Sequence, residues 1–466
     1  MSDKVYDLCV IGCGTAGMMA AVKLVDNGYN DIIIIEKGKH RSNNGNENVT
    51  EGIGGCGSFS DSKVNLTHKV GGTVYELTGL KKYYELLKEQ EDIWLRFAPT
   101  KEQKIKFNLT ENINDRLFTP NEFSENVRVK ALANNMDLIT FPIRHLGTTN
   151  VFYICENIFE FLINNGVTIL SESEMVQVTK NNDIFDLHYV NNATTKKIQS
   201  KNVLLVPGRS GGSFFKSIMN HFDLPLINGP IDIGVRCEAP SEIGNVLLDS
   251  GIYEPKFVYY SDLTKTKVRS FCYCREGKVA IEEYRNTGIK CVNGHSEGNG
   301  EKTGNLNFAV LASETFTEPF HQPQEYAEAI CRLANLLAGG DVLVQRLMDL
   351  KSGRRSTPAR IRDGATIPTL DATPGDLSLC IPQRQLTAII EFLDKMDKVM
   401  PGIASSHTLL YGMEVKFYSN KVKIDNDSMT EINNLYVGGD GAGYCRGINQ
   451  SSVNGLLIAE GILRKS

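Results

Sequence analysis

The sequence predicts an α/β protein: a Rossmann-like domain completed by the C-terminal strand and helix, with an inserted α+β domain. Three observations predict it. The apolar run Val5 to Ile11 has strand length and leads straight into Gly12-Cys-Gly14-Thr-Ala-Gly17 and a helical segment, Met18 to Val25. A second strand, Asp31 to Ile35, ends on the acidic Glu36. A further strand and glycine turn, Asn434-Leu-Tyr-Val437 and Gly438-Gly-Asp440-Gly-Ala-Gly443, stands near the C-terminus.

The first unit reads as strand, Gly-x-Gly-x-x-Gly, helix, strand, acid. Gly12 permits the tight turn, Gly14 lets a pyrophosphate approach the backbone, and Gly17 lets the helix pack closely on the strand. The helix N-terminus, with Thr15 and Ala16, offers backbone N–H groups to phosphate charge. Glu36 lies 19 residues past Gly17 and is placed to accept hydrogen bonds from a ribose diol, with Lys37 beside it. The spacing predicts a dinucleotide site; the bland alternative is an ordinary βαβ unit with a glycine-rich turn.

The far end of the chain bears on which dinucleotide. Only 23 residues follow Gly443, enough for one helix, Gln450 to Leu463, but not for another βαβ unit. The element is therefore expected to complete the sheet that begins at residue 5. Asp440, at the end of its strand, suits a ribityl hydroxyl. A helix N-terminus behind it suits a pyrophosphate or the flavin O2. A nucleotide fold opened by the first strand and closed by the last helix points to FAD, because NAD dehydrogenases usually hold the nucleotide in one contiguous unit. Gly439, Gly447, Ile448 and Asn449 join Asp440 as candidate cofactor contacts, and Arg446 as a candidate substrate contact.

Many ordered blocks then carry a resemblance. They include Gly54-Gly-Cys-Gly-Ser-Phe-Ser-Asp-Ser-Lys63, Arg144-His-Leu-Gly-Thr148, Val206-Pro-Gly-Arg-Ser-Gly211 and Pro230-Ile-Asp-Ile-Gly-Val-Arg236. Further blocks are Arg269-Ser-Phe-Cys-Tyr-Cys274, Val292-Asn-Gly-His-Ser296, Gly353-Arg-Arg-Ser-Thr357 and Thr408-Leu-Leu-Tyr-Gly-Met-Glu-Val-Lys-Phe417. Nearly end to end, the chain resembles the uncharacterised FAD-dependent dehydrogenase family, two-domain flavoproteins with a glutathione-reductase-like FAD fold. Cys56, Ser62 and Val206 depart from the family's usual Ala, Gly and Ala. The resemblance implies FAD and a redox reaction and does not supply a substrate.

Residues 1–79, 138–215 and 409–466 are expected to form the FAD-binding domain, 80–137 a helical cap or insertion, and 216–408 the substrate domain. In the first of these, Arg41 to Glu51 reads as a polar loop. The glycine-rich segment after it, with Gly55, Ser58 and Ser60, is expected along the cofactor. Val167 to Leu170, Met175 to Val178 and Val203 to Val206 read as strands. Met175 or Val176 is the candidate backbone contact to adenine, and Pro207 and Gly208 allow close approach. In the substrate domain, Val268 to Cys274 and Phe308 to Ala312 read as strands, and Pro323 to Leu337 and Ala388 to Met396 as helices. Asn293 to Gly304 is a polar, glycine-rich loop.

Composition narrows the function classes. A chain of 466 residues exceeds what one hydrophobic core usually supports, so two domains are expected. Fifty Lys and Arg against 55 Asp and Glu exclude attachment to nucleic acid or acidic lipid by bulk charge. No apolar run approaches the roughly 20 residues of a membrane span, and the N-terminus does not read as a signal peptide. Eleven scattered cysteines fit a reducing compartment, and the expected location is the cytoplasm.

Five side chains are the candidates for catalysis. Arg144 and His145 precede a Gly-Thr turn and would face the flavin or brace a loop. Tyr411, Glu414 and Lys416 belong to a segment, Met413 to Phe417 within it, that reads as a strand. Glu414 and Lys416 share one of its faces, and a lysine near the flavin N1 and C2 carbonyl would stabilise anionic reduced flavin; the alternative is an ion pair at a sheet edge. Cys272 and Cys274 would point to one face of a strand. With no second cysteine pair, no metal site is expected, and buried structural thiols are favoured over a redox pair. Arg354 and Arg355, with Arg360 and Arg362, form a local basic patch, a candidate for binding an anionic substrate. His295 ranks below His145.

The expected function is hydride transfer between bound FAD and a CH–NH, CH–OH or CH–CH unit of a small or medium-sized substrate. NAD(P)H or a redox protein is the expected electron partner. Two alternatives stay open: flavin-dependent modification of a nucleic-acid base, redox or lyase-type, and a non-catalytic FAD-binding protein.

Overall fold

The computed structural model describes residues 4–40, 51–59, 63–109, 112–284, 287–295, 302–317, 319–320 and 322–465. The chain divides into two compact units. The first comprises Met1–Leu117, Pro142–Asn228 and Ser419–Ser466, and the second Phe118–Phe141 and Gly229–Tyr418. Ser60, residues 41–50 of the polar loop and residues 296–301 of the glycine-rich loop lie outside the described residues.

In the first unit the parallel strands run in the order Thr168–Leu170, Ile32–Ile35, Val5–Ile11, Thr194–Leu205 and Leu435–Val437. Ile32–Ile35 is four isoleucines, every one buried. A parallel strand covered on both faces reads as such a continuous apolar run. Thr194–Leu205 is long enough to serve twice. Its second half pairs with Val5–Ile11, while its first half opens an antiparallel meander with Ile184–Asn191 and Ser173–Asn181. Helices Thr15–Asp26, Leu80–Arg96, Thr148–Asn164 and Gly447–Lys465 contribute to one core of this unit, and the meander to another. The closing strand and helix thus complete the sheet begun at Val5.

The second unit is built on a mainly antiparallel sheet. Its order is Thr373–Pro374, Leu343–Arg346, Leu409–Lys416, Ile231–Pro240, Asn305–Glu314, Lys267–Arg275, Lys256–Tyr260 and Met136–Ile139. Helices Pro323–Leu337 and Gln383–Asp397 bury their apolar stripes in the same core as this sheet. Among the described residues no helix is long and apolar enough to cross a membrane.

The division departs from the expected boundaries in three places. Residues 80–137 are not a separate cap. Leu80–Arg96 packs on the closing helix, with the Trp94 indole N–H donating to Ser452 Oγ at 3.2 Å. Met136–Ile139 instead pairs with Lys256–Tyr260 and carries its segment into the second unit. Leu409–Lys416 is an interior strand of the second unit, flanked by Ile231–Pro240 and Leu343–Arg346, and not part of the first. The first unit also extends past residue 215, through Gly212–His221 to Asn228.

Candidate functional site

The Gly-x-Gly-x-x-Gly turn takes its shape from what a side chain would strike. Gly12 has φ +108°, and a Cβ there would lie 2.3 Å from Val206 O. A Cβ on Gly17 would lie 2.2 Å from Gly12 O, so the helix Thr15–Asp26 can sit on its strand only without one. Gly14 differs: a Cβ there meets no heavy atom within 4 Å. The turn is closed where backbone meets backbone and open where Gly14 faces a cavity.

That cavity, of about 410 Å³, lies wholly within the first unit. From the opening motif it is lined by Gly12, Gly14, Thr15 and Ala16, and from the second strand by Glu36 and Lys37. Gly55, Met175, Pro207 and Gly208 line it from the middle of the chain. Gly439, Asp440, Gly447 and Ile448 close it from the C-terminal end. The first turns of two helices, Thr15–Asp26 and Gly447–Lys465, therefore reach one cavity. Helix N-termini favour negative charge.

Glu36 is buried, and its carboxylate accepts backbone N–H groups from Cys13 at 2.8 Å, Gly38 at 2.8 Å and Gly52 at 2.9 Å. These bonds tie the glycine turn, the strand end and the next loop to one side chain. Asp440 is held by Arg209, whose Nη2 lies 3.2 Å from Oδ2, and Lys37 pairs with Glu51 at 2.5 Å.

Several expected contacts fall elsewhere. Gly17 serves helix packing. Val176 is exposed beside the lining residue Met175, since the register between Met175 and Gln177 shifts. Asn449 turns away and donates from Nδ2 to Thr67 O at 3.4 Å. Ser58 belongs to the short helical turn Gly55–Phe59. Arg446 is also off the lining; its backbone N–H donates to Gly71 O. Lys63, the end of the glycine-rich segment Ile53 to Lys63 expected along the cofactor, lines the cavity, and sequence reasoning passed over Ser173, Glu174, Arg209 and Phe214, which line it too. Arg209 stands inside the Val206–Gly211 block, and a cation between two glycines was the available signal.

None of the five catalytic candidates lines this cavity. Arg144 lies on the strand Ile143–His145, which pairs with Lys63–Asn65. Its guanidinium is engaged by Glu91 at 2.9 Å and by the carbonyls of Ile113 and Asn114. It braces the first unit. His145 Nδ1 accepts the Gly147 N–H at 3.1 Å. Tyr411, Glu414 and Lys416 are in the second unit. Tyr411 is buried and donates to Glu238 Oε2 at 2.6 Å. Burial and the Glu238 charge push its phenol well above the ordinary value. Glu414 and Lys416 do share a face, at 3.1 Å, but in the sheet interior rather than at an edge. Glu414 also faces the buried Arg236 at 3.3 Å.

Two arginines of the basic patch are held by one buried carboxylate. Arg354 Nε lies 2.8 Å from Asp349 Oδ1, and Arg360 3.7 Å from the same atom. Burial works to raise the Asp349 carboxyl, yet the Ser356 hydroxyl and the arginines outweigh it and hold it below the ordinary range. Arg355 is exposed, and its carbonyl accepts from Arg360 Nη1.

Residues 230–417 match the family described as "FAD-dependent protein, C-terminal domain-like". The match coincides with the main segment of the second unit, Gly229–Tyr418, and not with the cavity-bearing one. Over 490 aligned positions the chain is 26% identical to an "uncharacterized protein" of Clostridium beijerinckii, covering 98% of this chain and 80% of that one. Among solved structures it is similar to a flavoprotein/dehydrogenase from Cytophaga hutchinsonii at 10% identity and TM-score 0.39, covering 99% of this chain and 77% of that one. It is similar also to glycine oxidase from Geobacillus kaustophilus, at 12% identity and TM-score 0.40, covering 99% and 95%.

Proposed function

We propose that the chain is an FAD-dependent oxidoreductase whose first unit holds the dinucleotide. One observation carries this reading: the opening glycine turn, Glu36 and the closing Gly439-Asp440 turn line one cavity, although they lie at opposite ends of the chain. A mononucleotide would not need both ends. The description of the family that matches residues 230–417 supports the same cofactor.

The residues fit the group. Gly14 leaves open the space a pyrophosphate needs, beside the N-terminus of Thr15–Asp26. Glu36, fixed by backbone donors, would offer its remaining acceptor capacity to a ribose. Met175, on the lining, would bound the adenine end, and Asp440 would accept a ribityl hydroxyl. The backbone N–H groups at the N-terminus of Gly447–Lys465, which reaches the same cavity, would meet a pyrophosphate or the flavin O2. When bound, FAD supplies hydride transfer; the chain supplies binding, orientation and electrostatics. Arg209, paired with Asp440, and Lys63 also line the cavity and would stand near the phosphates.

The direct test is the visible spectrum of the purified full-length protein, before and after anaerobic NADPH or NADH. Flavin bands that bleach establish a redox flavoprotein with a pyridine-nucleotide donor. Flavin bands that persist leave FAD in place and direct the search to a protein electron partner. Absence of flavin binding even after reconstitution with FAD overturns the proposal.

A further inference from the structure

The strand Lys267–Arg275 is irregular at its cysteines. Its register against Asn305–Glu314 breaks between Phe271 and Cys274, and Cys272 has φ +51°, a left-handed conformation that side chains other than Gly, Asn and Asp rarely adopt. In a regular strand, residues two apart are separated by about 6.4–6.8 Å between Cα atoms, near the outer limit a disulfide can span. At the bulge, Cys272 Sγ lies 3.9 Å from Cys274 Sγ.

A buried cation stands beside Cys274. Arg236 Nη2 donates to Cys272 O at 2.7 Å and lies 3.5 Å from Cys274 Sγ. The guanidinium is fully buried and fixed by Asn307 Oδ1 at 2.9 Å and Glu414 at 3.3 Å. Two glycines make the room: a Cβ on Gly294 would fall 1.4 Å from Arg236 Nη2, and one on Gly277 2.9 Å from Cys274 Cβ. A cation beside a thiol favours the thiolate, so Arg236 readies Cys274, the sulfur that attacks second. Cys272 is partly exposed and Cys274 is buried, so one sulfur is reachable and the other waits behind it.

We infer that Cys272 and Cys274 form a redox-active dithiol in the second unit that exchanges with small-molecule disulfides. Cys272 thiolate attacks one sulfur of R–S–S–R; the R–S–S–R bond breaks and R–S⁻ leaves, taking a proton from solvent. Cys274, having lost its proton to solvent, attacks the Cys272 sulfur. A Cys272–Cys274 bond forms and the second R–S⁻ is expelled. The dithiol loses two electrons, and the small disulfide is reduced to two thiols. The inference does not depend on the flavin reading, because the pair belongs to the second unit alone.

The test uses oxidised glutathione on the reduced full-length protein, followed by alkylation and trypsin. Cleavage after Arg269 and Arg275 releases both cysteines in one peptide, Ser270 to Arg275. In the wild type that peptide should lose the mass of two hydrogens and escape alkylation. In Cys274→Ser it should carry glutathione on Cys272, the second step being blocked. The inference is overturned if both cysteines are recovered alkylated while the exposed Cys56 has reacted, or if the wild-type peptide retains a lasting glutathione adduct. Should Cys274→Ser fail to fold, as judged by its thermal melt, the wild-type peptide alone decides.

Discussion

Gly14 and Gly17 are three residues apart and have opposite requirements. The space at Gly17 is filled by Gly12 O, so Gly17→Ala forces the helix off its strand. Overpacking of this kind costs typically 1–3 kcal/mol. At Gly14 the φ is −77° and nothing lies within 4 Å, so Gly14→Ala meets neither strain nor clash. It should leave the urea midpoint of the chain nearly unchanged while cutting FAD affinity at least about tenfold, or about 1.4 kcal/mol. Equal stability losses in the two variants would show that the glycines share one structural role. Glu36 combines both kinds of role. Glu36→Ala would leave the N–H groups of Cys13, Gly38 and Gly52 without this acceptor, so it should lower stability by about 1–3 kcal/mol as well as weaken FAD. Urea unfolding of the cofactor-free variant separates the two effects, and an unchanged midpoint would contradict the first.

At the scale of elements, Asp232 anchors one end of the strand Ile231–Pro240. Burial works to raise its carboxyl, but Arg269 at 2.5 Å and the hydroxyls of Ser313 and Tyr418 outweigh that effect and hold it below the ordinary range. A carboxyl depressed by folding contributes stability above its unfolded pKa of about 3.9, and that contribution is lost as pH falls through the folded value. Unfolding free energy should therefore drop on acidification below about pH 4. Asp232→Asn should be less stable at pH 7 and show a flatter acid limb; parallel pH profiles would refute the assignment.

Much of the element pattern was legible in the sequence. The helix Pro323–Leu337 has an amphipathic period that survives any context, and the two glycine turns mark strand ends that only glycine can make. Leu409–Lys416 was not assigned correctly, for a physical reason. All eight of its residues are buried, so it has no alternation to say which sheet it joins, and it precedes the first unit's last segment by only a few residues. Its partners, Ile231–Pro240 and Leu343–Arg346, are distant in sequence. Arg144 failed similarly: its type fits an anionic ligand, while Glu91 and two carbonyls, which the sequence does not place beside it, decide its use.

For the molecule as a whole, two units with separate cores give separate observables. Trp94 is the only tryptophan of the chain and is buried in the first unit against the closing helix. Its fluorescence therefore reports that unit. Trp94→Phe keeps the packing roughly but removes the probe, whereas Trp94→Ala should cost about 3–5 kcal/mol. FAD at one hundred times its Kd should raise the stability seen by Trp94 by about 2.7 kcal/mol, since a ligand that binds only the folded state stabilises it by mass action. A Trp94 transition that ignores FAD would place the cofactor outside the first unit.

The central claim is that the cavity joining Gly14, Glu36 and Asp440 holds FAD. It is tested most directly by titrating the cofactor-free full-length protein with FAD and following flavin fluorescence, with Gly14→Ala in parallel. The account predicts saturable binding at one FAD per chain in the wild type and an affinity at least about tenfold weaker in a Gly14→Ala protein that still melts like the wild type. Binding that is absent in the wild type, or that is unchanged when Gly14 gains a methyl group, would contradict it.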